Sequence, residues 1–359
     1  MHICFFIGGL SGGGAERVTC NLANYMVERD HDVEILTMAD DAPSYELSQK
    51  VTRKVLLRTE ERKSFIFNSI LRLVRFWKYL RRTEVDVIVV MLPITTILLL
   101  QMRRMTKAAV IAAERSLPSI YKSKEQHRLK KLARRADGWV FQTDAQKAWY
   151  EKAGIRKGVI IPNAINPEFI RPFYAGERRN EIVTVGSQTV PKNQELLINA
   201  FAQISKDWPA YRLVLYGKGP KLELLQTLAE TLGISERVVF AGYSTNVYES
   251  IKAAKLFVLS SDYEGMPNAL MEAMATGLPC VSTDCDGAGA RGLIEDGKNG
   301  LLVPKGDVES LASAMNRMLT DREFAEKCGQ EAHKICERLA PEKVYSEWEG
   351  FITEIVNSK

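Results

Sequence analysis

The chain has 359 residues with a globular composition, 46% hydrophobic and 26% charged. This composition excludes a disordered chain, a fibrous repeat and a small disulfide-stapled module, and the length predicts two domains. The formal net charge is +5, yet residues 60–135 hold 18 Lys and Arg against 6 Asp and Glu. Such a local positive field favours nucleic acid, anionic lipid or a phosphorylated substrate, without choosing among them.

Short apolar runs alternate with helical stretches from end to end. In the first half we predict strands at Ile3–Ile7, Val33–Thr37, Val85–Val90, Ala109–Ala112, Gly138–Phe141 and Val159–Ile161. In the second half we predict strands at Ile182–Val185, Arg212–Tyr216, Val238–Phe240, Leu256–Leu259 and Pro279–Ser282. Strands joined by helices predict an α/β fold class, with a doubly wound parallel sheet in each half. The carboxyl ends of both sheets would face a shared cleft that binds ligands.

Two prolines and two asparagines within residues 161–167 interrupt both periodicities, which is typical of a domain boundary. We therefore predict an N-terminal domain over residues 1–163 and a C-terminal domain over residues 164–340. A last helix over residues 341–359 is predicted to cross back to the first domain. The N-terminus has no signal-peptide pattern, and no apolar run reaches the roughly 20 residues of a membrane span.

Residues 63–82 predict an amphipathic helix. At 100° per residue its apolar face comprises Ile66, Phe67, Ile70, Leu73, Val74, Trp77 and Leu80. On the other side of the helix, Arg72, Arg75 and Arg82 form a basic stripe together with Tyr79. We expect this stripe to contact an anionic membrane or lipid phosphates. The alternative is a core helix with a solvated basic back, and nucleic acid is disfavoured because no binding motif accompanies the charge.

Two turns rich in glycine follow predicted strands and open helices, where a backbone can approach an anion. The first is GGLSGGG at residues 8–14, which fits neither the dinucleotide fingerprint nor the P-loop; a flexible turn is the alternative. The second is VGSQTVPKN at residues 185–193, which places Lys192 near a helix start that attracts phosphate. GKGP at residues 217–220 makes a similar tight turn.

The segment EGMPNALMEAMA at residues 264–275 places Glu264 in a loop and Glu272 along the following helix. Carboxylates accept hydrogen bonds from vicinal hydroxyls of a sugar or ribose, and helix-start amides bind phosphate. A surface helix is the bland alternative. Asp284 and Asp286 form a D-x-D pair, but they end a strand, and the six cysteines lack metal-site spacing. We therefore expect no metal site and reduced cytosolic thiols.

Together these segments carry a family resemblance. SGGGAER, IPNAI, VGSQTVPKNQELLINAF, LYGKGP and EGMPNALMEAMATGLP resemble bacterial glycosyltransferases of family 4 over nearly the whole chain. The similarity is greatest to hexosyl and N-acetylgalactosaminyl transferases that extend lipid-linked oligosaccharides for surface glycans or protein glycosylation. It implies a GT-B fold, a UDP-sugar donor, retention of anomeric configuration, and neither metal nor cofactor. It also implies a polyprenyl-diphosphate-linked glycan acceptor and a cytoplasmic, peripheral location on the inner membrane face.

The resemblance also assigns roles by position. It implies that Lys192 neutralises the diphosphate, Glu264 holds the transferred sugar and Glu272 binds the ribose. Further implied donor contacts are Gly13, Gly14, Ser187, Gly217, Tyr243, Gly265, Met266, Pro267, Asn268, Ala269 and Leu270. Glu114 and Arg115 occupy a position that resembles an acceptor-side motif.

One position departs from the family pattern, because Ser187 stands where many relatives have an arginine. A serine supplies a hydrogen bond but no charge for the diphosphate. Two other functions stay open at this point. One is a nucleotide-sugar epimerase on the same fold, and the other is a non-catalytic nucleotide-sugar-binding protein.

Overall fold

Strands and helices alternate along the chain, which a computed structural model describes from residue 1 to residue 359. The strands are β1 (His2–Ile7), β2 (Asp32–Thr37), β3 (Thr52–Val55), β4 (Val87–Met91), β5 (Ala109–Ala113), β6 (Gly138–Phe141), β7 (Gly158–Ile160), β8 (Arg179–Val185), β9 (Arg212–Tyr216), β10 (Val238–Gly242), β11 (Ala254–Leu259), β12 (Cys280–Asp284) and β13 (Leu301–Pro304). The α-helices are α1 (Gly14–Glu28), α2 (Phe65–Arg82), α3 (Pro93–Gln101), α4 (Ser123–Leu132), α5 (Asp144–Glu151), α6 (Gln194–Ile204), α7 (Leu222–Thr231), α8 (Val247–Ile251), α9 (Asn268–Ala275), α10 (Val308–Thr320), α11 (Arg322–His333), α12 (Ile335–Arg338) and α13 (Pro341–Asn357).

The chain divides into two units, each built on one parallel sheet. Unit 1 comprises Met1–Asn163 and Glu342–Lys359, and unit 2 comprises Ala164–Pro341. The sheet of unit 1 has seven strands in the order β3-β2-β1-β4-β5-β6-β7, and that of unit 2 has six in the order β10-β9-β8-β11-β12-β13. The prediction of an α/β fold with two doubly wound parallel sheets is confirmed.

Unit 1 is held together by strands that are apolar along their whole length. Every residue of β4 (VIVVM) and β5 (AVIAA) is buried, because helices cover both faces of a parallel sheet. Aromatic rings fill the space beneath the helices: Phe6 stacks on Phe76 at 4.6 Å, and Trp139 lies 4.1 Å from Tyr150. The last helix, α13, belongs to this unit, and its Trp348 is fully buried.

Unit 2 has its own core between the sheet and helices such as α6 and α10. Leu197 and Phe201 of α6 and Met315 of α10 are fully buried there against β8, β9 and β11. Asparagine and aspartate side chains cap several of its helices; Asp307, for example, accepts a 2.9 Å hydrogen bond from the Ser310 amide at the start of α10. Each unit therefore has a core of the size a separate domain needs.

Each sheet has one point at which the strand order reverses. In unit 1 it lies between β1 and β4, and in unit 2 between β8 and β11. Connections leave such a point toward opposite faces of the sheet, which opens a crevice at the carboxyl ends of the two strands. The glycine-rich loop follows β1, Lys192 follows β8 and Glu264 follows β11. The fold thus puts the segments selected from the sequence at ligand-binding positions.

Two strands were missed in the sequence, and both lie at sheet edges. β3 reads TRKV, is only half-buried, and pairs with β2 alone. β13 is four residues long, ends in a proline and pairs with β12 alone. Edge strands are short and partly solvated, so they lack the continuous apolar run that identifies a buried strand. All six cysteines are free thiols.

The amphipathic helix is present as α2, but its exposed face differs from the prediction. Arg72 donates a 3.1 Å hydrogen bond to the Met38 carbonyl, and Arg75 pairs with Glu61 at 2.6 Å, so two arginines of the stripe are engaged within unit 1. Arg82 is exposed. Phe76 and Leu80 are the helix residues that are buried. The face left exposed is apolar and consists of Phe65 (84%), Ile66 (70%), Phe67 (42%), Ile70 (56%), Leu73 (46%), Val74 (42%) and Trp77 (43%).

None of the helices is both long enough and apolar enough to span a lipid bilayer.

Candidate functional site

Lys192 and Glu264 meet at the point of strand reversal in unit 2. The Lys192 Nζ lies 2.5 Å from the Glu264 Oε1, and the Ser261 hydroxyl donates a 2.7 Å hydrogen bond to the same oxygen. The other carboxylate oxygen, Oε2, makes no hydrogen bond within the protein. The Glu264 side chain is 11% exposed and that of Lys192 is 26% exposed. The site therefore presents one fixed carboxylate with an open acceptor and an ammonium group with donors to spare.

Hydrogen bonds between the two loops fix this pair in place. The Asp262 amide donates to the Pro191 carbonyl at 2.9 Å, and the Ser260 hydroxyl donates to the Lys192 carbonyl at 3.1 Å. Asn193 adds a third link, since its side-chain amide donates to the Asp262 carboxylate at 2.9 Å while its oxygen caps α6. Asn193 is left-handed (φ +42°), which asparagine tolerates better than most residues. These hydrogen bonds hold the loops that carry Lys192 and Glu264 in a fixed geometry.

Glycines let neighbouring loops pack backbone against backbone. Gly217 has φ +130°, and a Cβ on it would lie 2.0 Å from the Gly186 carbonyl oxygen. Gly287 has φ +103°, and a Cβ there would lie 1.9 Å from the Glu264 carbonyl oxygen. A side chain at either position would force the loops apart. The turns after β8 and β9, and those after β11 and β12, are therefore joined through main chain.

The helix α9 begins immediately beyond Glu264. The Leu270 and Met271 amides donate to the Pro267 carbonyl at 3.1 and 3.2 Å, and the helix dipole makes this end of α9 attractive to anions. Leu270 and Glu272 are buried, with Glu272 one turn into the helix and 6% exposed. One loop and the first helical turn therefore hold a continuous set of predicted positions: Glu264, Gly265, Met266, Pro267, Asn268, Ala269, Leu270 and Glu272.

Ser187 is exposed at the end of β8, and its hydroxyl lies 3.2 Å from that of Thr189. The neighbouring turn brings Lys218 alongside, because the Gln188 amide donates to the Lys218 carbonyl at 3.0 Å. The Lys218 side chain is exposed and makes no hydrogen bond or ion pair within the protein. Sequence reasoning selected the GKGP turn for its glycines and overlooked this lysine. The sequence feature that could have identified Lys218 is its place in the turn after β9, the strand that pairs with β8.

Tyr243 follows β10 and is 72% exposed. The structure brings its segment next to the Gly217 turn, because the Gly217 amide donates to the Gly242 carbonyl at 2.7 Å. Gly217 follows β9, the neighbour of β8, and Tyr243 follows β10, which is two strands from β8. Both therefore lie at the carboxyl ends of the strands, as Lys192 and Glu264 do.

The two carboxylates of the D-x-D pair each have a cationic partner. Asp286 pairs with Lys305 at 2.5 Å, and Asp284 pairs with Arg291. The Asp286 carbonyl also accepts a 3.0 Å hydrogen bond from the Glu264 amide. The segment that contains Asp284 and Asp286 therefore holds the Glu264 loop in place through the backbone.

Gly13 and Gly14 lie in unit 1, in a different unit from Lys192 and Glu264. They follow β1 at the strand reversal of that sheet, where Gly13 precedes α1 and Gly14 is its first residue. The segment after β4, on the other side of the reversal, contains Leu92 at φ +74° and ψ +147°. This backbone region is strained for leucine and is otherwise found mainly at functional sites. The sequence carries no sign of it.

Glu114 and Arg115 are buried in unit 1. Glu114 accepts hydrogen bonds from the hydroxyls of Tyr121 and Tyr150, both at 2.6 Å, and from two backbone amides. Burial raises the pKa of Glu114 above its ordinary value. These contacts make Glu114 an internal acceptor that holds the loop after β5.

Arg115 donates a 3.2 Å hydrogen bond to the Asn163 side chain and lies over the Trp348 ring at 5.4 Å. Burial lowers the pKa of its guanidinium to about 10. Two of its nitrogens, Nε and Nη2, are buried without a hydrogen-bond partner in the protein. Arg115 thus has two N–H groups that no protein group accepts from, whereas the Glu114 carboxylate already accepts four hydrogen bonds.

Two protein families match the chain. Residues 147–335 match the family described as glycosyl transferases group 1, and residues 12–169 match glycosyltransferase family 4.

Individual relatives align in part or in full. The chain is 27% identical over 100% of both sequences to a Campylobacter jejuni protein, the GalNAc-alpha-(1->4)-GalNAc-alpha-(1->3)-diNAcBac-PP-undecaprenol alpha-1,4-N-acetyl-D-galactosaminyltransferase. It is 36% identical to an exopolysaccharide phosphotransferase of Streptomyces coelicolor over 62% of this chain, but the match spans only 24% of that protein. The crystal structure of Anabaena HepE in complex with UDP has a TM-score of 0.85 at 19% identity, covering 99% of this chain and 100% of HepE. That similarity establishes the GT-B fold.

Proposed function

This chain belongs to the glycosyl transferases group 1 family and is a glycosyltransferase of GT-B type, and from this we propose its donor, acceptor and mechanism. The proposed enzyme transfers a hexose or N-acetylhexosamine from a UDP-sugar to a polyprenyl-diphosphate-linked glycan, with retention and without a metal or cofactor. It works on the cytoplasmic face of a bacterial membrane in surface-polysaccharide or glycoprotein synthesis.

The observation that carries this proposal is the Lys192–Glu264 pair at the strand reversal of unit 2. Glu264 has one oxygen occupied by Lys192 and Ser261, and its open Oε2 can accept a hydrogen bond from a sugar hydroxyl. Lys192 uses one of three ammonium donors on Glu264, which leaves donors for a diphosphate. A carboxylate beside a cation suits a ligand that is hydroxylated at one end and anionic at the other, as a nucleotide sugar is.

The same positions can stabilise the departing group. In the transfer, the anomeric carbon–phosphate oxygen bond breaks and a bond to the acceptor hydroxyl oxygen forms. Negative charge builds on the UDP, where Lys192 and the positive end of the α9 helix dipole stabilise it. Lys218 supplies the second positive charge in place of the arginine that Ser187 replaces. The leaving phosphate takes the acceptor's proton, and attack on the same face retains the configuration.

Other proposed contacts complete the donor site. Glu272 binds the ribose hydroxyls, and the backbone next to Tyr243 receives the uracil. Gly13 and Gly14 are further proposed contacts of the diphosphate. UDP as the nucleotide is supported by the complex of HepE with UDP, although that protein shares only 19% of its residues with this chain.

The lipid-linked acceptor is supported by two observations. The Campylobacter relative, aligned over its whole length, is named for an undecaprenyl-linked substrate. The exposed apolar face of α2, next to the exposed cations Lys78, Arg81 and Arg82, has the composition of a helix that lies in a membrane interface. We propose that this apolar face, rather than the arginine stripe, enters the lipid.

A panel of UDP-sugars, with and without a short-chain polyprenyl-diphosphate glycan, tests the proposal. UDP release that requires the acceptor, with one sugar added to it and the anomeric configuration kept, is the expected result, and EDTA should leave the rate unchanged. Conversion of the UDP-sugar without acceptor would instead identify an epimerase. Tight UDP-sugar binding without turnover would identify a binding protein. Glu272→Ala with unchanged donor KM would refute the ribose assignment.

A further inference from the structure

A cavity lies in unit 2 at the amino ends of the strands, whereas Lys192 and Glu264 lie beyond their carboxyl ends. Its volume is about 690 Å³, within the range of about 300–1,000 Å³ that small-molecule sites occupy. Its lining includes Asn180 at the beginning of β8, Lys255 at the beginning of β11, and Pro279 immediately before β12. Strands of this length separate the two edges by roughly 20 Å. The cavity is therefore distinct from the proposed donor site.

The wall of this cavity is preformed. Arg178 donates hydrogen bonds of 2.9–3.0 Å to the carbonyls of Lys252, Ala254 and Gly277, which ties the segment before β8 to two other elements. Phe173 lies directly on Gly277, where a Cβ would come within 2.3 Å of the ring. The donors of Arg178 are thus largely engaged in holding the wall. A ligand would enter without having to order these segments, which favours binding.

Four aromatic side chains line the cavity: Phe173, Tyr174, Trp208 and Tyr211. Trp208 and Tyr211 pack nearly perpendicular at 5.3 Å, and the Trp208 indole donates a 2.8 Å hydrogen bond to Asn316, so the ring has a fixed orientation. Fixed aromatic faces pack well against the C–H faces of sugar rings. Aromatic faces also bind flat apolar groups, so the polar residues of the lining must decide between such groups and a sugar.

The charged side chains around the cavity are of both signs. Besides Arg178, whose donors are largely engaged in the wall, two cations and two carboxylates line the cavity: Lys255 and Arg322 bring positive charge, and Glu177 and Glu326 bring negative charge. None of the four side chains makes a hydrogen bond or ion pair within the protein. A phosphorylated ligand would meet the two carboxylates unfavourably. A neutral polyhydroxylated ligand can instead donate to the carboxylates and accept from the cations.

We infer that this cavity binds a short neutral oligosaccharide. Fixed aromatic rings would pack against the sugar faces, while Glu326, Lys255 and their neighbours bind hydroxyls. If the proposed function holds, this site retains a part of the acceptor or product glycan that is remote from the reacting end. The assignment of the ligand class rests on the cavity itself, whereas this role rests on the proposed function.

Chitotriose and maltotriose are suitable probes, used with the full chain and with UDP at saturation to fill the donor site. Saturation-transfer NMR and calorimetry should detect glycan binding that UDP does not displace. Glu326→Ala should weaken it about tenfold, the usual effect of losing a hydrogen bond to a charged group. Glu323→Ala is the matched control, because Glu323 is exposed on the same helix, α11, and does not line the cavity.

Equal affinities for wild type, Glu326→Ala and Glu323→Ala would overturn the inference, as would displacement of the glycan by UDP. Failure of both trisaccharides to bind, with UDP-sugar turnover intact, would also overturn it and leave the proposed function standing. Glycan binding that depends on Glu326 in a protein without turnover would uphold the cavity assignment while the proposed function fails.

Discussion

The two units share one architecture, but the carboxyl edges of their sheets are built differently. In unit 2 the loops pack backbone to backbone through Gly217 and Gly287, and a few charged groups project from that frame. In unit 1 the corresponding edge is held by side chains, with Glu114 accepting four hydrogen bonds. Unit 1 also exposes the apolar face of α2, which has no counterpart in unit 2.

The contrast suggests a division of labour. A frame of main chain and fixed charges suits a ligand that stays the same, such as a nucleotide diphosphate. A frame of side chains can be altered residue by residue without breaking the sheet edge, which suits a variable partner. The same contrast bears on the sequence, because Gly217 and Gly287 leave no room for a Cβ beside the neighbouring carbonyl oxygens.

The sharpest test of the unit 2 frame is removal of its central charge. Lys192→Ala should lower kcat by about 100- to 1,000-fold, the usual result of losing one group that stabilises a developing anion. Steady-state kinetics with the active UDP-sugar would measure it. Lys206→Ala, at an exposed lysine of the same unit, is the control and should retain full activity. A Lys192→Ala enzyme with normal kcat would show that another group meets the diphosphate charge.

The backbone packing itself can be broken at Gly287. Gly287→Ala should cost about 2–4 kcal/mol, because the new Cβ meets the Glu264 carbonyl and the φ of +103° is strained. Gly306→Ala is matched for positive φ (+76°) but has no atom within 4 Å of the new Cβ, so its cost should be near 1 kcal/mol. Thermal and urea unfolding compare the two. Equal costs would mean that the loops are not held by main-chain contact.

The apolar face of α2 offers a test in unit 1. Replacement of Ile70, Leu73 and Trp77 together by Ser should reduce partitioning onto anionic liposomes by about tenfold or more, because apolar area is lost. Flotation or sedimentation with liposomes would measure this. The control replaces two exposed apolar residues of unit 2, Leu224 and Val239, by Ser. Equal liposome binding by wild type and both variants would exclude the α2 face as the membrane contact.

The second cation of unit 2 should have a smaller effect than the first. Lys218→Ala should lower kcat about tenfold, since the exposed ammonium is screened more than that of Lys192. The loss should grow at low ionic strength, where exposed charges act over longer distances. Rates at two salt concentrations would measure both effects. Unchanged rates would leave the position of Ser187 without a compensating charge.

The smallest expected effect concerns pH and the side-chain frame of unit 1. Burial raises the pKa of Glu114 above its ordinary value, so the folded state holds the proton more tightly than the unfolded state does. The stability it contributes is full below the unfolded pKa of about 4.3 and falls as pH rises through the folded value. Glu114→Gln does not titrate, so its stability relative to wild type should improve from pH 5 to pH 8.

Urea unfolding across that pH range would measure the change, with Glu347→Gln on the exposed side of α13 as the control. A stability of Glu114→Gln relative to wild type that stays constant or falls with rising pH would contradict the prediction.

The interior of each sheet could be predicted from sequence, because buried parallel strands are apolar along their whole length, as in β4. The edge strands β3 and β13 could not, since solvation removes that pattern. The amphipathicity of α2 was evident, but which face turns inward was not. That choice depends on acceptors distant in sequence, such as the Met38 carbonyl and Glu61, which engage Arg72 and Arg75.

The candidate site shows the same limit. Lys192 and Glu264 stood out because their segments follow strands and carry the family resemblance. Their meeting at 2.5 Å depends on the strand order that places β8 beside β11. Lys218 had only a turn to mark it, and the strain at Leu92 leaves no trace in composition or periodicity. The positions of Lys218 and Leu92 both depend on the loops that follow neighbouring strands of the sheet.

The position of α13 bears on how the chain is made. Its residues 342–359 complete unit 1. Phe351 and Ile355 pack so closely on Gly138 of β6 that a Cβ on Gly138 would lie 2.9 Å from the Phe351 ring and from an Ile355 methyl group. Unit 2 is thus an insertion within unit 1. During synthesis, all of unit 2 leaves the ribosome before unit 1 receives its last helix, so unit 2 can fold first while unit 1 waits with an uncovered sheet. A fragment that ends at residue 163 would keep that surface uncovered permanently.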